Sequence, residues 1–168
     1  MHLGWYRQAE RRLKTAQRRV SRRKKGRHRR RKAVRRLART HLQVQRQRHD
    51  FHHNVALCLV QQHDTSSHED LQTANLVKNP HLATSIQDAG WSEFLGILSA
   101  KAAWAGRRVV AVPPAYTSQT CCGCGVIVQK GLSVRWHSCP DCGTSLHRDH
   151  NAAKNIERAG QALRAEVA

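Results

Sequence analysis

Apolar positions recur along this chain with helical spacing more often than with strand spacing. Between residues 33 and 60, Leu37, Val44, Phe51 and Cys58 fall on every seventh position, flanked by Val34, Val55 and Leu59. That spacing lays an apolar stripe along one helix face and leaves Arg and Gln on the others. The helical pattern reaches back to about residue 5, with a break at Gly26. On the stripe, Cys58 reads as a small core residue. A second amphipathic helix is predicted over 92–105, where Phe94, Leu95, Leu98, Ala102 and Ala103 precede Gly106. The run Val109 to Val112, stopped by Pro113-Pro114, has the pattern of a buried strand. Residues 61–85 are polar and turn-rich, with Asp64-Thr65-Ser66-Ser67 and Asn79-Pro80, and residues 150–165 read as a closing helix.

Charge changes this picture at one end. Residues 1–50 hold 20 of the 30 Lys and Arg residues and two acids, Glu10 and Asp50, whereas residues 51–168 are close to neutral. The run from Arg18 to Arg36 cannot pack against anything apolar. Either it is a solvated tail or it lies along a polyanion, where each phosphate neutralised releases counterions. Its preponderance of Arg favours bidentate phosphate contacts. The candidate nucleic-acid contacts are Arg18, Arg19, Arg22, Arg23, Lys24, Lys25, Arg27, Arg29, Arg30 and Arg31. His49, His52, His53, His63 and His68 read as surface or nucleic-acid-facing groups. With hydrophobic residues at 39% and aromatic residues at 5%, only a modest core is available. There is no apolar run long enough to cross a bilayer and no secretory h-region, so the expected location is intracellular.

Cysteine spacing adds the chemistry. Cys121-Cys122-Gly123-Cys124-Gly125 and Cys139-Pro140-Asp141-Cys142-Gly143 are two CxxC knuckles, each trailed by a glycine that can take the positive φ of a tight turn. Two knuckles present four thiolates at tetrahedral corners, the geometry of structural Zn²⁺. Two disulfides are the alternative, and an intracellular location argues against them. The expected ligands are Cys121, Cys124, Cys139 and Cys142, with Cys122 a bystander and His137 and His147 outside the set. Val126 to Val128 and Leu132 to Trp136 alternate like a hairpin around Lys130-Gly131.

One longer pattern combines these parts. Tyr116-Thr117-Ser118-Gln119-Thr120-Cys121, the second knuckle, and His147-Arg148-Asp149-His150-Asn151-Ala152-Ala153-Lys154-Asn155-Ile156 resemble the TSQxCxxCG … CPxCG … DRDxNAAxNI signature of the TnpB/OrfB family. His68-Glu69-Asp70-Leu71, Asp88-Ala89-Gly90-Trp91 and the basic stretch Gln17 to Gly26 resemble further segments of it. The resemblance implies an RNA-guided DNA endonuclease with a RuvC-like, RNase H-type core, in which three carboxylates hold two Mg²⁺ ions. It assigns Glu69 to the second acid and Asp149 to the third, and makes DNA and guide RNA the partners. It also places the protein in a prokaryotic cytoplasm, at the nucleoid. Asn151 and Asn155 are expected to cap or position the closing helix.

The fold class expected is therefore α/β: an incomplete RuvC-like core with an inserted four-cysteine zinc ribbon and a basic N-terminal helical arm. The expected divisions are an arm at 1–60, a partial core at 61–115, a ribbon at 116–148 and a closing helix at 149–168. Two departures from the family pattern matter. No acid precedes Glu10, so the first carboxylate has no counterpart and the chain is expected not to cut alone. Asp64-Thr65-Ser66-Ser67-His68 stands where the family has an apolar strand, which predicts a weak strand and a poorly held Glu69. The alternatives are a nuclease half completed by a separately encoded N-terminal part, and a simple zinc-ribbon module that binds nucleic acid.

Overall fold

The computed structural model describes residues 4–72, 78, 90–131 and 133–166. Asn79-Pro80, Asp88, Ala89 and Leu132 lie outside them. Among the described residues, four helices and four strands follow in order: α1 (Gly4–Ser21), α2 (His28–Gln62), β1 (Thr65–Glu69), α3 (Trp91–Trp104), β2 (Arg108–Val112), β3 (Trp136–Ser138), β4 (Ser145–His147) and α4 (Arg148–Glu166). The break between α1 and α2 falls at Gly26, as its sequence predicts. The chain forms two compact units, Met1–Asn54 and Val55–Ala168, divided within α2.

In the first unit the buried positions are few and small: Ala9 and Ala16 on α1, and Val44 and His52 on α2. His52 is thus a buried residue and not the surface group its polarity suggests. In the second unit the core gathers Ala56 and Val60 of α2 with Leu98 and Ala102 of α3, and Leu59, Phe94, Ile97 and Val109 pack around it. Cys58 is exposed. The buried line on α2 advances in multiples of four residues through Val44, His52, Ala56 and Val60, and a seven-residue repeat misses that drift around the helix.

β1 and β2 pair in parallel, in register from Thr65↔Arg108 to Glu69↔Val112. The polar sequence before Glu69 does form a strand. The reason lies on α4. A Cβ at Gly160 would sit 2.7 Å from the Ser67 Cβ, so two small residues let the helix approach the strand closely. All five residues of β1 are half-buried as a result. At the strand's start, Asp64 pairs with Arg107 and accepts the Arg108 N–H through its carbonyl at 3.0 Å.

The predicted hairpin around Lys130-Gly131 is replaced by two smaller ones. β3 and β4 pair antiparallel across residues 139–144. Thr120 bridges Ile127, with Cys121 N–H to Val126 O at 2.8 Å and Val128 N–H to Gln119 O at 3.0 Å. Each CxxC knuckle is itself the tight turn, so the paired segments flank it.

Candidate metal centre and neighbouring carboxylates

The turn geometry of each knuckle brings its thiols inward. Gly125 N–H bonds Cys121 O at 2.9 Å and Gly143 N–H bonds Cys139 O at 3.1 Å. Both glycines adopt left-handed φ, 82° and 72°, which a side chain would strain. Gly123 serves a different need. A Cβ there would lie 2.5 Å from Thr144 Oγ1 and 3.2 Å from Cys142 Sγ, so its absence lets the knuckles close on each other.

The sulfurs of Cys121, Cys124, Cys139 and Cys142 all lie within 4.8 Å of one another, and no other His, Cys, Asp and Glu side chains gather three or more potential ligand atoms among the described residues. Cys121 and Cys142 stand 3.6 Å apart and Cys124 and Cys139 3.5 Å apart. A disulfide requires about 2.05 Å, whereas tetrahedral bonds of about 2.3 Å place neighbouring sulfurs roughly 3.8 Å apart. The spacing therefore fits a tetrahedral thiolate site of the kind Zn²⁺ prefers. Four protein ligands leave no open position, which makes such a site structural.

The thiols respond to this crowding unequally. Burial opposes ionisation of Cys121. Hydrogen bonds from the Cys124 N–H, the His137 ring, the Gly123 N–H and Cys142 outweigh it and pull the thiol down to about 5 from 9.0. At Cys124 the Val126 N–H favours the thiolate, but Cys142, desolvation, Cys139 and Cys121 push the thiol up to about 12. Cys142 is drawn down, first by the Thr144 hydroxyl and N–H. Four adjacent thiols cannot all ionise without a counter-charge, and a divalent cation is the counter-charge that resolves this split.

Behind the ribbon, α4 presents a row of polar side chains to backbone groups. Asn151, fully buried, accepts the Cys122 N–H at 2.9 Å and donates to Thr120 O at 2.7 Å. Asn155 donates to Thr120 O at 2.7 Å and to Thr117 O at 2.9 Å. Arg158 donates to Cys122 O at 2.7 Å. Cys122 is held by its backbone, and the NAAxN spacing places both amides on one helix face, one turn apart. The signature carried that spacing, although the amides hold the ribbon and do not cap the helix.

Glu69 ends β1, at the carboxyl end of the parallel pair where open α/β sheets place their chemistry. Its Oε1 accepts the Thr117 hydroxyl at 2.5 Å. Beside it, Asp70, Leu71, Gln72, Ala111, Val112 and Pro113 line an open cleft of about 510 Å³. Asp149 opens α4 with its side chain 68% exposed, 3.7 Å from His147 Nδ1 and 3.7 Å from Arg148 Nε. Arg164 reaches Thr65, Gly160 faces Ser67, and Asn155 reaches Thr117, which holds Glu69. The helix therefore runs against the direction of β1, and Asp149 lies towards the same end of the strand pair as Glu69.

The basic candidates sit where α1 gives way to α2. Arg18 and Arg19 close α1; Arg22, Arg23, Lys24, Lys25 and Arg27 occupy the link; Arg29, Arg30 and Arg31 open α2. Of these, Arg30 is half-buried and the others are exposed. An open cleft of about 1050 Å³ in this unit is lined by Arg19, Arg23, Arg29 and Arg31 together with Lys32, Arg35, Arg36 and Arg39, and by no acid among the described residues. The last four were missing from the sequence-derived set, although their three- and four-residue spacing marks one helix face.

Two family models match parts of this chain. Residues 4–80 match the "Probable transposase" family OrfB_IS605, and residues 91–156 match the "Cas12f1-like, TNB domain" family. A candidate RNA-guided DNA endonuclease of Streptomyces pristinaespiralis is 44% identical over 156 residues, covering 92% of this chain and 39% of its own length. The candidate RNA-guided DNA endonuclease InsQ of Escherichia coli (strain K12) is 33% identical over 170 residues, covering 92% of this chain and 42% of its own. The chain thus spans about two-fifths of the length of these two relatives. The cryo-EM structure of a Cas12f1–sgRNA–target DNA complex superposes with a TM-score of 0.56 at 20% identity, over 71% of this chain and 36% of that one. That likeness shows a shared α/β fold. Among the described residues, no helix is long and apolar enough to cross a membrane.

Proposed function

Because this chain belongs to the TnpB/OrfB family, we propose that it is a nucleic-acid-binding part of an RNA-guided DNA endonuclease that carries two of the catalytic carboxylates and cannot cut alone. The observation that carries the reading is the placement of Glu69 and Asp149 towards one end of the β1–β2 pair, with the four-cysteine ribbon clamped to the helix that Asp149 opens. In this reading β1, β2 and α4 belong to a RuvC-like core, and Cys121, Cys124, Cys139 and Cys142 hold a structural Zn²⁺.

In-line displacement at a phosphodiester uses two Mg²⁺ ions held by several carboxylates. Two carboxylates are too few for that, and among the described residues no group of three potential ligands forms around Glu69 or Asp149. The missing ligand would come from another segment or another polypeptide. Glu69 and Asp149 would each offer a carboxylate oxygen to Mg²⁺, which would supply Lewis-acid activation of water there. The Arg and Lys groups around residues 18–31 bind phosphate backbone of guide RNA or DNA without reading bases.

The test is Mg²⁺-dependent cleavage of labelled single-stranded DNA by the zinc-loaded chain, beside an Asp149→Ala control. Salt-sensitive binding without cleavage is the expected result. Cleavage abolished by Asp149→Ala would show that the site is already complete and would overturn the claim of dependence on a further carboxylate.

A further inference from the structure

Between the end of β2 and the first metal-binding cysteine lies a turn that is fixed more tightly than a linker needs to be. Tyr116 adopts φ 60°, the left-handed region that is strained for a residue with a Cβ. Its carbonyl accepts two N–H groups, from Gln119 and Thr120, both at 2.9 Å. Tyr116 is 62% exposed, so burial does little to offset the strain. The next residue explains it. Thr117 donates its hydroxyl to Glu69 Oε1 at 2.5 Å, across 48 positions of sequence, while its own carbonyl accepts Asn155 Nδ2 at 2.9 Å. Pro114 O lies 3.2 Å from the same hydroxyl. Of the two acceptors, the carboxylate is the nearer, and its charge-assisted bond is the stronger. Strain retained at one residue to aim its neighbour is the pattern of a positioned functional group.

We propose that Thr117 is a positioning residue for Glu69, and that it ties the orientation of that carboxylate to the folded, metal-holding ribbon. The proposal rests on the reading of Glu69 as a metal-ligating acid of the nuclease. The path is short and continuous. Glu69 is held by the Thr117 hydroxyl; Thr117 is held by Asn155; Asn155 and Asn151 both grip Thr120 O; Asn151 also takes the Cys122 N–H. Thr120 directly precedes the first cysteine ligand. When the knuckle closes around a cation, the carbonyls of Thr117 and Thr120 are set against α4, and the hydroxyl is aimed at Glu69. When the knuckle opens, the turn loses its anchor and Glu69 is free to change rotamer. The ribbon then does more than stabilise: it prepares one ligand of the cutting site before Mg²⁺ and substrate arrive.

Carbon-13 NMR of the full chain labelled at the glutamate side-chain carboxyls tests this directly, because the sequence has only five glutamates. Glu69→Gln assigns the resonance. In zinc-loaded protein, Thr117→Val is expected to displace the Glu69 signal by more than its linewidth, and Thr117→Ser, which keeps the hydroxyl, to leave it in place. Glu93 and Glu157 should not move, which separates lost positioning from lost folding, and metal analysis should show zinc still bound. Stripping zinc from the unsubstituted chain is expected to shift Glu69 in the same direction as Thr117→Val. An unmoved Glu69 signal in folded Thr117→Val, or equal displacement by Ser and Val, overturns the proposal. Failure of the nuclease reading would show differently: the NMR coupling would persist while a complemented site failed to cut with or without Glu69.

Discussion

The two compact units of this chain hold their chemistry by opposite means. Met1–Asn54 has 20 basic residues, two acids and a handful of small buried side chains, and its candidate contacts are exposed. Val55–Ala168 is almost neutral and holds four thiols, two buried or half-buried amides and a bonded carboxylate at fixed distances. In the first unit charge density is the active property, and many arrangements of the same residues would serve. In the second, displacement of one atom by an ångström removes a ligand or orphans a buried amide. The contrast predicts that equal numbers of substitutions have very unequal effects in the two units.

The largest effect should follow loss of the metal site. Cys139→Ser, or chelation, is expected to unfold the ribbon, since structural zinc contributes about 10–16 kcal/mol of apparent binding free energy at neutral pH. Loss of the dispersed amide resonances of residues 116–147 would confirm it; a ribbon that stays folded without metal would break the contrast at its strongest point.

Next in size is Asn151→Ala. It leaves the Cys122 N–H without its partner in a buried site, while Thr120 O keeps the Asn155 amide. One orphaned buried donor and one lost bond cost about 2–3 kcal/mol, to be read by denaturant unfolding of the zinc-loaded chain. Asn151→Asp would sharpen the result. It retains the acceptor for Cys122 but points an oxygen at Thr120 O, so it should fall no nearer the parent than Ala does.

Which parts of this were legible in the sequence follows from how local their causes are. The cysteine site was, because thiol chemistry imposes its own spacing and its own glycines. The break at Gly26, α3 and β2 were also legible from periodicity and punctuation. What escaped depended on residues far along the chain. β1 reads as a poor strand until Gly160 is seen to admit Ser67, and the role of Thr117 is invisible until folding brings it to Glu69. Cys58 was misplaced for a subtler reason, since a strict seven-residue repeat and a four-residue step diverge over a helix as long as α2, and Ala56 and Val60 take the interior. The hairpins were misplaced because the knuckles, and not Lys130-Gly131, make the turns.

Gly160→Ala tests the packing of α4 on β1 with a smaller effect, because two terms compete. Alanine gains up to about 1 kcal/mol of helix propensity over glycine in the middle of α4. The added methyl would meet Ser67 at 2.7 Å from its Cβ, and such overpacking costs about 1–3 kcal/mol. The expected net loss is about 1 kcal/mol. Ser67→Gly in the same chain should recover part of it, giving a coupling energy in a double-mutant cycle. Additive effects would mean that the helix and the strand do not approach each other closely at these two residues.

The smallest effect should come from a single substitution in the basic unit, and its smallness is informative. Arg31→Gln removes one of many charges lining the same cleft. If the unit acts through counterion release, the slope of log affinity against log salt should fall in magnitude by about 0.7–0.9 for each phosphate no longer neutralised, and by the same amount for any sequence of RNA or DNA offered. Arg35→Gln or Arg36→Gln should be interchangeable with it, since binding to phosphate carries no base information. A substitution that cost far more than its neighbours, or that changed which sequence is preferred, would mean that this unit also works by placed atoms. The difference between the units would then be one of degree, and the cleft would need to be understood as the ribbon is, residue by residue.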